Sequence, residues 1–270
     1  MRNILLKIAY DGTEFHGWQR QANALTVQGH LEQIMSKLFN RDVQLSGTSR
    51  TDAGVHALAQ HATFQTDINI PIERLPLVVN NALCAAEGRR TGRGGFAKAP
   101  VRILEAVERT EGFHARFDCK GKKYIYRVHC GEKAADNMSL IFDRNYVYPV
   151  GEVLDVGAMN EAAKFLEGTH DFKSFEASGG NPRETTVRTI YEAKVMESMA
   201  GEIQIHVKGD GFLYNMVRII TGTLVEVGQG KRVPNEMKAI IEAAHRPAAG
   251  HTAPPNGLYL AEVYYEEIKK

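Results

Sequence analysis

The 270-residue chain holds only three cysteines, Cys84, Cys119 and Cys130, an odd count with no CxxC pair. That scarcity speaks against a disulfide framework and a cysteine zinc site, and it fits a reducing, cytoplasmic setting. Ten histidines form neither HExxH nor HxH, and His56 and His61 are five apart, the wrong spacing for one helical face. No metal is expected. No apolar run approaches the roughly 20 residues that cross a bilayer, so no membrane span is expected. The opening "MRNILLKIAYDG" lacks a long apolar region and a small-residue cleavage site, so no signal peptide is expected either. A general excess of positive charge is also missing: 33 Lys and Arg face 32 Asp and Glu, a formal net charge of +1. A nucleic-acid binder of this composition must gather its basic groups locally. One stretch does so. "EGRRTGRGGFAKAPVR", Glu87 to Arg102, sets Arg89, Arg90, Arg93, Lys98 and Arg102 against Glu87, which leaves the rest of the chain net acidic.

What is present is an ordinary supply of apolar residues in two periodicities. "NILLKIAY" at 3–10 reads as a buried strand closed by Asp11-Gly12. Val27, Leu31, Ile34 and Leu38 share one helical face, with Thr26 placed to cap it. A short strand is expected at 42–47, another in "QHATFQT", and a helix from Pro71 through "PIERLPLVVNNAL", with Pro76 disturbing its first turn. "VRILEAVERT" and "KKYIYRVHC" read as strands, the second with Tyr124, Tyr126 and Val128 on one side. A helix over 155–167, strands in "TVRTIYEAKVME" and "GEIQIHVKG", an apolar helix in "LYNMVRIITGTLVEVG", a shorter helix over 235–244 and a last strand in "GLYLAEVYYEE" complete the order. Strands and helices mix without strict βαβ alternation. The expectation is therefore α+β: two related halves of mainly antiparallel sheet with helices packed on it, divided as 1–110 and 111–270.

Four stretches can carry chemistry. In "GTSRTDAGVHA", Arg50 and Asp52 lie two apart and face one way if the backbone is extended. A neighbouring guanidinium keeps a carboxylate ionised and aimed, and such a carboxylate can attack or stabilise a sugar carbon. The same letters are also good turn chemistry, and on spacing alone a turn is the commoner explanation. "YDGTEFHGWQRQ" places the single Trp18 beside Arg20, groups that can stack on nucleobases, although a lone Trp is as often a core plug. "FHARFDCKGKKYIYRV" interleaves Arg116 and four other basic residues with four aromatics, either an RNA-binding strand or an amphipathic hairpin. In "GDGFLYNMVRIITG" Arg218 sits within an apolar helix. It needs a carboxylate or phosphate partner, or a place at the stripe's edge where it can snorkel.

Taken together, "YDGTEFHGWQRQ", "GTSRTDAGVHA", "GFHARF", "KKYIYRV", "GFLYNMVRIITGTLVEVG" and "GLYLAEVYY" resemble the tRNA pseudouridine synthase A family, in order and over nearly the whole chain. The resemblance implies the pseudouridine synthase fold with two pseudo-symmetric halves around a central cleft, 1–110 carrying the catalytic loop and 111–270 completing the cleft. It implies a homodimer that isomerises uridine to pseudouridine at positions 38, 39 and 40 of the tRNA anticodon stem-loop, with no metal or organic cofactor. It puts the catalytic aspartate on Asp52, its paired arginine in the cleft on Arg218, the motif arginine on Arg50 and the base-stacking tyrosine on Tyr124. Trp18, Arg20, Arg116, Arg89, Arg90 and Arg93 are candidate RNA contacts. The chain departs from the family pattern in a longer link, the insert at 84–100, and in Ser49, which suits the same turn. Two other classes compete: an RNA-binding protein without turnover, and a glycosidase, which needs a second carboxylate such as Asp210 or Glu226.

Overall fold

A computed structural model describes residues 1–86, 99–131, 139–180, 184–198 and 201–268. The chain forms two compact units: Met1–Lys120 with Leu260–Glu267, and Gly121–Tyr259 with Ile268–Lys270. The chain passes from the first unit to the second at 120/121, and Leu260–Glu267 belong to the first unit again.

The first unit contains β1 (Arg2–Tyr10), α1 (Val27–Phe39), β2 (Ser46–Gly47), β3 (His56–Thr66), α2 (Leu75–Ala86) and β4 (Val101–Arg109). β1 lies between β4 and β3, antiparallel to both, and β2 adds a short rung to β3. Ile4, Leu6 and Ile8 on β1 are fully buried, as are Val27, Leu31 and Met35 on α1 and Val79 and Leu83 on α2. Thr26 caps α1 as its position foretells, its Oγ1 accepting the Gly29 N–H at 3.3 Å. Leu38, expected on the apolar face, is 37% exposed at the helix end.

The second unit contains β5 (Gly121–Cys130), α3 (Ser139–Asp143), β6 (Tyr148–Val150), α4 (Val156–Lys164), β7 (Gly168–Asp171), β8 (Val187–Glu197), β9 (Glu202–Gly209), α5 (Met216–Gly228) and α6 (Glu236–Ala243). Its strand order is β5-β9-β8-β7, all antiparallel, with β6 parallel beside β5. Period-two burial of Tyr124, Tyr126 and Val128 on β5 and of Ile203, Ile205 and Val207 on β9 forms one apolar face. α4 packs on β8 and α5, and burial of each α5 aliphatic such as Ile219, Ile220 or Leu224 contributes about 2 kcal/mol. β10 (Leu258–Tyr264) follows, and from Leu260 its residues belong to the first unit.

This mixture of antiparallel strands and helices is the expected α+β class. Two elements differ locally. The strand expected at 42–47 shrinks to Ser46–Gly47 because the Val43 and Leu45 N–H groups bond side chains of α1, Ser36 Oγ at 2.9 Å and Glu32 Oε1 at 2.9 Å. The helix expected from Pro71 begins as a 3₁₀ turn, Ile72–Arg74, and α2 starts at Leu75. Pro76 then lies in the first turn, where its missing N–H has no intrahelical acceptor to lose.

His61 on β3 lies edge-on to Tyr265, centroids 5.5 Å apart, with Nδ1 3.2 Å from the Ala59 carbonyl. Burial lowers its pKa to about 4, against the bond to Ala59, and the Lys7 and Arg109 charges add to the fall. The unfolded chain protonates this group near 6.5, so between 6.5 and about 4 it binds more protons than the folded one. Stability from this group is intact above 6.5 and declines as pH drops toward 4. The urea midpoint should follow that decline, and His61→Gln should make it shallower. Equal pH slopes for the two proteins would remove His61 from the account.

Candidate active site

Asp52 stands half-buried in irregular backbone between β2 and β3. Its carbonyl accepts the Val55 N–H at 3.2 Å, closing a turn over Ala53 and Gly54. Gly54 has φ +76°, which the third position of such a turn requires and a side chain would strain. The residues before the turn are gripped from several directions. The Gln60 side chain, fully buried, accepts the Ser49 N–H at 3.2 Å and donates to the Ser49 carbonyl at 2.7 Å. Tyr10 and Thr51 share a hydroxyl hydrogen bond of 2.7 Å, and the Trp18 N–H reaches the Thr51 carbonyl at 3.1 Å. The Gly54 N–H reaches the Phe15 carbonyl at 3.2 Å. Thr48 donates its Oγ1 to the Ala115 carbonyl at 3.0 Å. A loop without strand partners therefore has its polar backbone satisfied by side chains and by the 10–18 segment, and the aspartate's Cα is held in place.

Arg50 is exposed, and the segment from Ser49 to Asp52 belongs to no strand. Trp18 is 2% exposed, with its ring 6.1 Å from Tyr10, which matches the core-plug alternative. Arg20 is 61% exposed, with one guanidinium nitrogen 3.1 Å from the buried Glu32 carboxylate. Arg116 lies in a turn rather than on a strand, because β5 begins only at Gly121. Its guanidinium sits 5.8 Å from the ring of Phe117, which is 75% exposed. His114 stacks on the same ring at 4.3 Å, and its Nδ1 accepts the Arg116 N–H at 3.1 Å. Phe117 is one of the four aromatics of that basic stretch, and nothing in the pattern separates it from the buried ones. Arg89, Arg90 and Arg93, with most of the insert at 84–100, lie outside the described residues.

In the second unit, Tyr124 on β5 is 7% exposed and meets Phe212 edge-on at 5.1 Å. Arg218 sits in the first turn of α5, half-buried. Its Nε donates to the Ala253 carbonyl at 2.7 Å and an Nη to Asn215 Oδ1 at 2.8 Å. Asn215 occupies the N-cap of α5 with φ +58°, a conformation Asn tolerates, and its side chain is directed to Arg218 rather than to a helix N–H. These two acceptors orient the guanidinium. The two carboxylates considered for a glycosidase are held structurally: Asp210 Oδ1 accepts the Thr189 N–H at 3.0 Å, and Glu226 accepts from Arg232 and His251. Among the described residues no group of three His, Cys, Asp or Glu is placed to hold a metal ion.

A sequence profile described as tRNA pseudouridine synthase matches residues 7–91 and 162–266. A relative from Clostridium tetani, named tRNA pseudouridine synthase A 2, is 44% identical over 268 residues, spanning 98% of this chain and 99% of its own. Ruminiclostridium cellulolyticum has a tRNA pseudouridine synthase A that is 44% identical over 265 residues, 98% of this chain and 100% of its own. One from Acetivibrio thermocellus is 43% identical over 265 residues at the same coverage. With a profile match over most of its length and full-length relatives at these identities, the chain belongs to the tRNA pseudouridine synthase family.

Proposed function

We propose that this protein isomerises uridine to pseudouridine at positions 38, 39 and 40 of the tRNA anticodon stem-loop, with Asp52 acting on the ribose of a flipped uridine. The observation that carries the assignment is the grip on the Ser49–Gly54 loop: Gln60 and Trp18 bond its backbone at Ser49 and Thr51, Tyr10 bonds the Thr51 hydroxyl and Phe15 takes the Gly54 N–H, around a loop whose one acid is Asp52. Preorganised groups of this kind stabilise charge without reorganising during reaction. The target base must leave its stack to be reached. The C1′–N1 bond breaks, the detached uracil turns, C5 bonds to C1′, the C5 proton is lost to solvent and N1 takes up a proton, so the product is an isomer of the substrate. The carboxylate acts either as nucleophile at C1′ or as base at C2′. Tyr124 provides an aromatic surface for the base, and Arg218 and Arg50 are cations for the RNA backbone. Arg20, Arg116 with Phe117, and the Arg89, Arg90 and Arg93 cluster make further RNA contacts. The reaction is a rearrangement without redox change or hydrolysis, so it uses no metal or organic cofactor. The protein works in the cytoplasm as a homodimer; among the described residues no helix is long and apolar enough to cross a membrane.

Incubation with unmodified tRNA should yield pseudouridine and no free uracil, before and after EDTA treatment. Asp52→Asn should abolish tritium release from C5-labelled tRNA uridine while leaving tRNA binding, and normal release would reject the assignment. A primary isotope effect with 2′-deuterated uridine would select the base at C2′. Gln60→Leu keeps the volume of a buried site but removes both bonds to Ser49, a loss of about 2 kcal/mol or more. Turnover should fall with it although Asp52 is untouched; unchanged turnover in a measurably less stable variant would break the link between the grip and catalysis. Deleting Arg89 to Lys98 removes four basic residues, and the slope of log affinity against log salt should fall by about 3. An unchanged slope would take the insert out of the RNA contact set. Light scattering should report the mass of two chains.

A further inference from the structure

Between α6 and β10, residues 249–257 run as a strap along one face of α5. Arg218, Gly222 and Glu226 are spaced by four and so share that face. Each meets the strap. Arg218 exchanges two bonds with Ala253: the Ala253 N–H reaches the Arg218 carbonyl at 3.1 Å, and the guanidinium Nε reaches the Ala253 carbonyl at 2.7 Å. Gly222 lies so close that a Cβ there would sit 1.9 Å from the His251 carbonyl oxygen, a backbone atom with no room to yield. Glu226 Oε1 accepts both the backbone N–H and the Nδ1–H of His251, each at 3.0 Å. Its Oε2 accepts Arg232 Nε at 2.7 Å, and Arg232 also reaches the Ala248 carbonyl at the head of the strap. Thr223 Oγ1 takes the Gly250 N–H at 3.0 Å.

The far side of the strap is fixed to β5 and β6. Tyr126, buried on β5, donates its hydroxyl to the Pro254 carbonyl. Asn256 donates to the Arg144 carbonyl at 2.9 Å. With Nδ1–H given to Glu226, His251 Nε2 is left as an acceptor, and the Tyr148 hydroxyl lies 3.1 Å from it. Burial alone would raise the Glu226 carboxyl, but Arg232 and the two His251 donors outweigh it and bring it to about 2. The anchor therefore stays ionised through the working range of the protein.

None of these groups other than Arg218 has been given a part in the reaction, and a strap of nine residues does not need a charged, three-donor anchor merely to connect a helix to a strand. We propose that Glu226 and His251 are positioning residues for Arg218: they lock the strap so that the Ala253 carbonyl and Asn215 hold the guanidinium in one orientation. The inference rests on the reading of Arg218 as a group that serves the RNA substrate. The chemistry runs through one contact: with the anchor gone, Ala253 keeps its backbone bond to Arg218 but loses its fixed distance from the helix, and the Nε acceptor drifts.

The test follows the Arg218 side chain itself. In protein labelled with ¹⁵N-arginine, the Arg218 Nε–H resonance is assigned by its disappearance in Arg218→Lys, and its exchange with solvent is measured. Exchange should quicken at least about tenfold in Glu226→Ala and in His251→Ala. Single-turnover pseudouridine formation on tRNA should fall about tenfold, the kind of loss that a small misplacement of a substrate-positioning group produces, while the other RNA contacts keep tRNA affinity within about twofold of wild type. Glu226→Gln, whose amide oxygen still accepts from His251, should retain most of both. His251→Ala serves if Glu226→Ala does not fold, as judged by circular dichroism. Unchanged exchange in the folded alanine variants would overturn the proposal. Faster exchange with normal turnover would uphold the strap's hold on Arg218 and instead remove Arg218 from the functional reading.

Discussion

The first unit depends on one constraint: an irregular loop next to a buried sheet must have its N–H and C=O groups satisfied without a strand partner. Thr48 still gives its N–H to the His61 carbonyl of β3, and from Ser49 to Val55 the Gln60 amide and the backbone of the 10–18 segment take over, with the Tyr10 hydroxyl holding the Thr51 side chain. The consequences spread outward. Gln60 is a fully buried polar side chain in an otherwise apolar strand because the loop above it needs both a donor and an acceptor. Trp18 is inside because its segment is brought against Thr51, with its own carbonyl accepting the Gln28 N–H at 2.9 Å to tie that segment to α1. α1 in turn holds residues 42–45 off the sheet through Ser36 and Glu32, so the chain reaches β2 already turning toward the loop. The buried Glu32 thereby serves Arg20, Gln28 and Leu45 at once.

The second unit applies the same rule to a cation. Arg218 stands in a helix whose neighbours Met216, Val217, Ile219 and Ile220 are buried. Two of its polar partners are the Ala253 carbonyl and the Asn215 amide oxygen. A planar guanidinium presents its donors in a fixed fork, so bonds at Nε and one Nη set its orientation. Holding a carbonyl at that place is what gives the segment after α6 its irregular course, and the Glu226 contacts explain why a second charged residue lies two turns along the same helix.

Periodicity made much of this fold legible. The faces of α1, β5 and β9 and the Thr26 cap are all local properties, set by spacing along the chain, and they stand where spacing puts them. The candidate site was legible only as a set of motifs. Asp52 and Arg218 could be named from the company their stretches keep, but their supports could not. The grip on Ser49 comes from eleven residues away, Thr48 meets Tyr265 across 217, and Arg218 meets Ala253 across 35. Such pairs leave no trace in a single sequence, because any Gln, Tyr or Ala would read the same. The stretch from Ser49 to Asp52 belongs to no strand, so spacing alone does not say which way Arg50 faces. Trp18 shows the same limit: its stacking ability is intrinsic, but its burial is decided by Tyr10 and by the segment it plugs.

Turn and active site are not opposed explanations of "GTSRTDAGVHA": the proposed role of Asp52 needs the turn that the structure has at Asp52–Val55. A carboxylate that must meet a sugar carbon cannot sit on a regular strand of this sheet, where its neighbours would share the ladder and its Cα could be placed only in register steps of about 3.4 Å. A turn frees it from the ladder but releases its backbone, and released backbone is mobile unless it is bonded elsewhere. Tyr10, Gln60 and Trp18 supply those bonds, so the loop is irregular and still held. The Arg116 turn has the same logic at the surface. His114 accepts backbone N–H groups from Arg116 and Phe117 and lies against the Phe117 ring, holding a large apolar group in water rather than letting it collapse inward. In both turns, side chains that carry no chemistry of their own decide where the ones that do are placed.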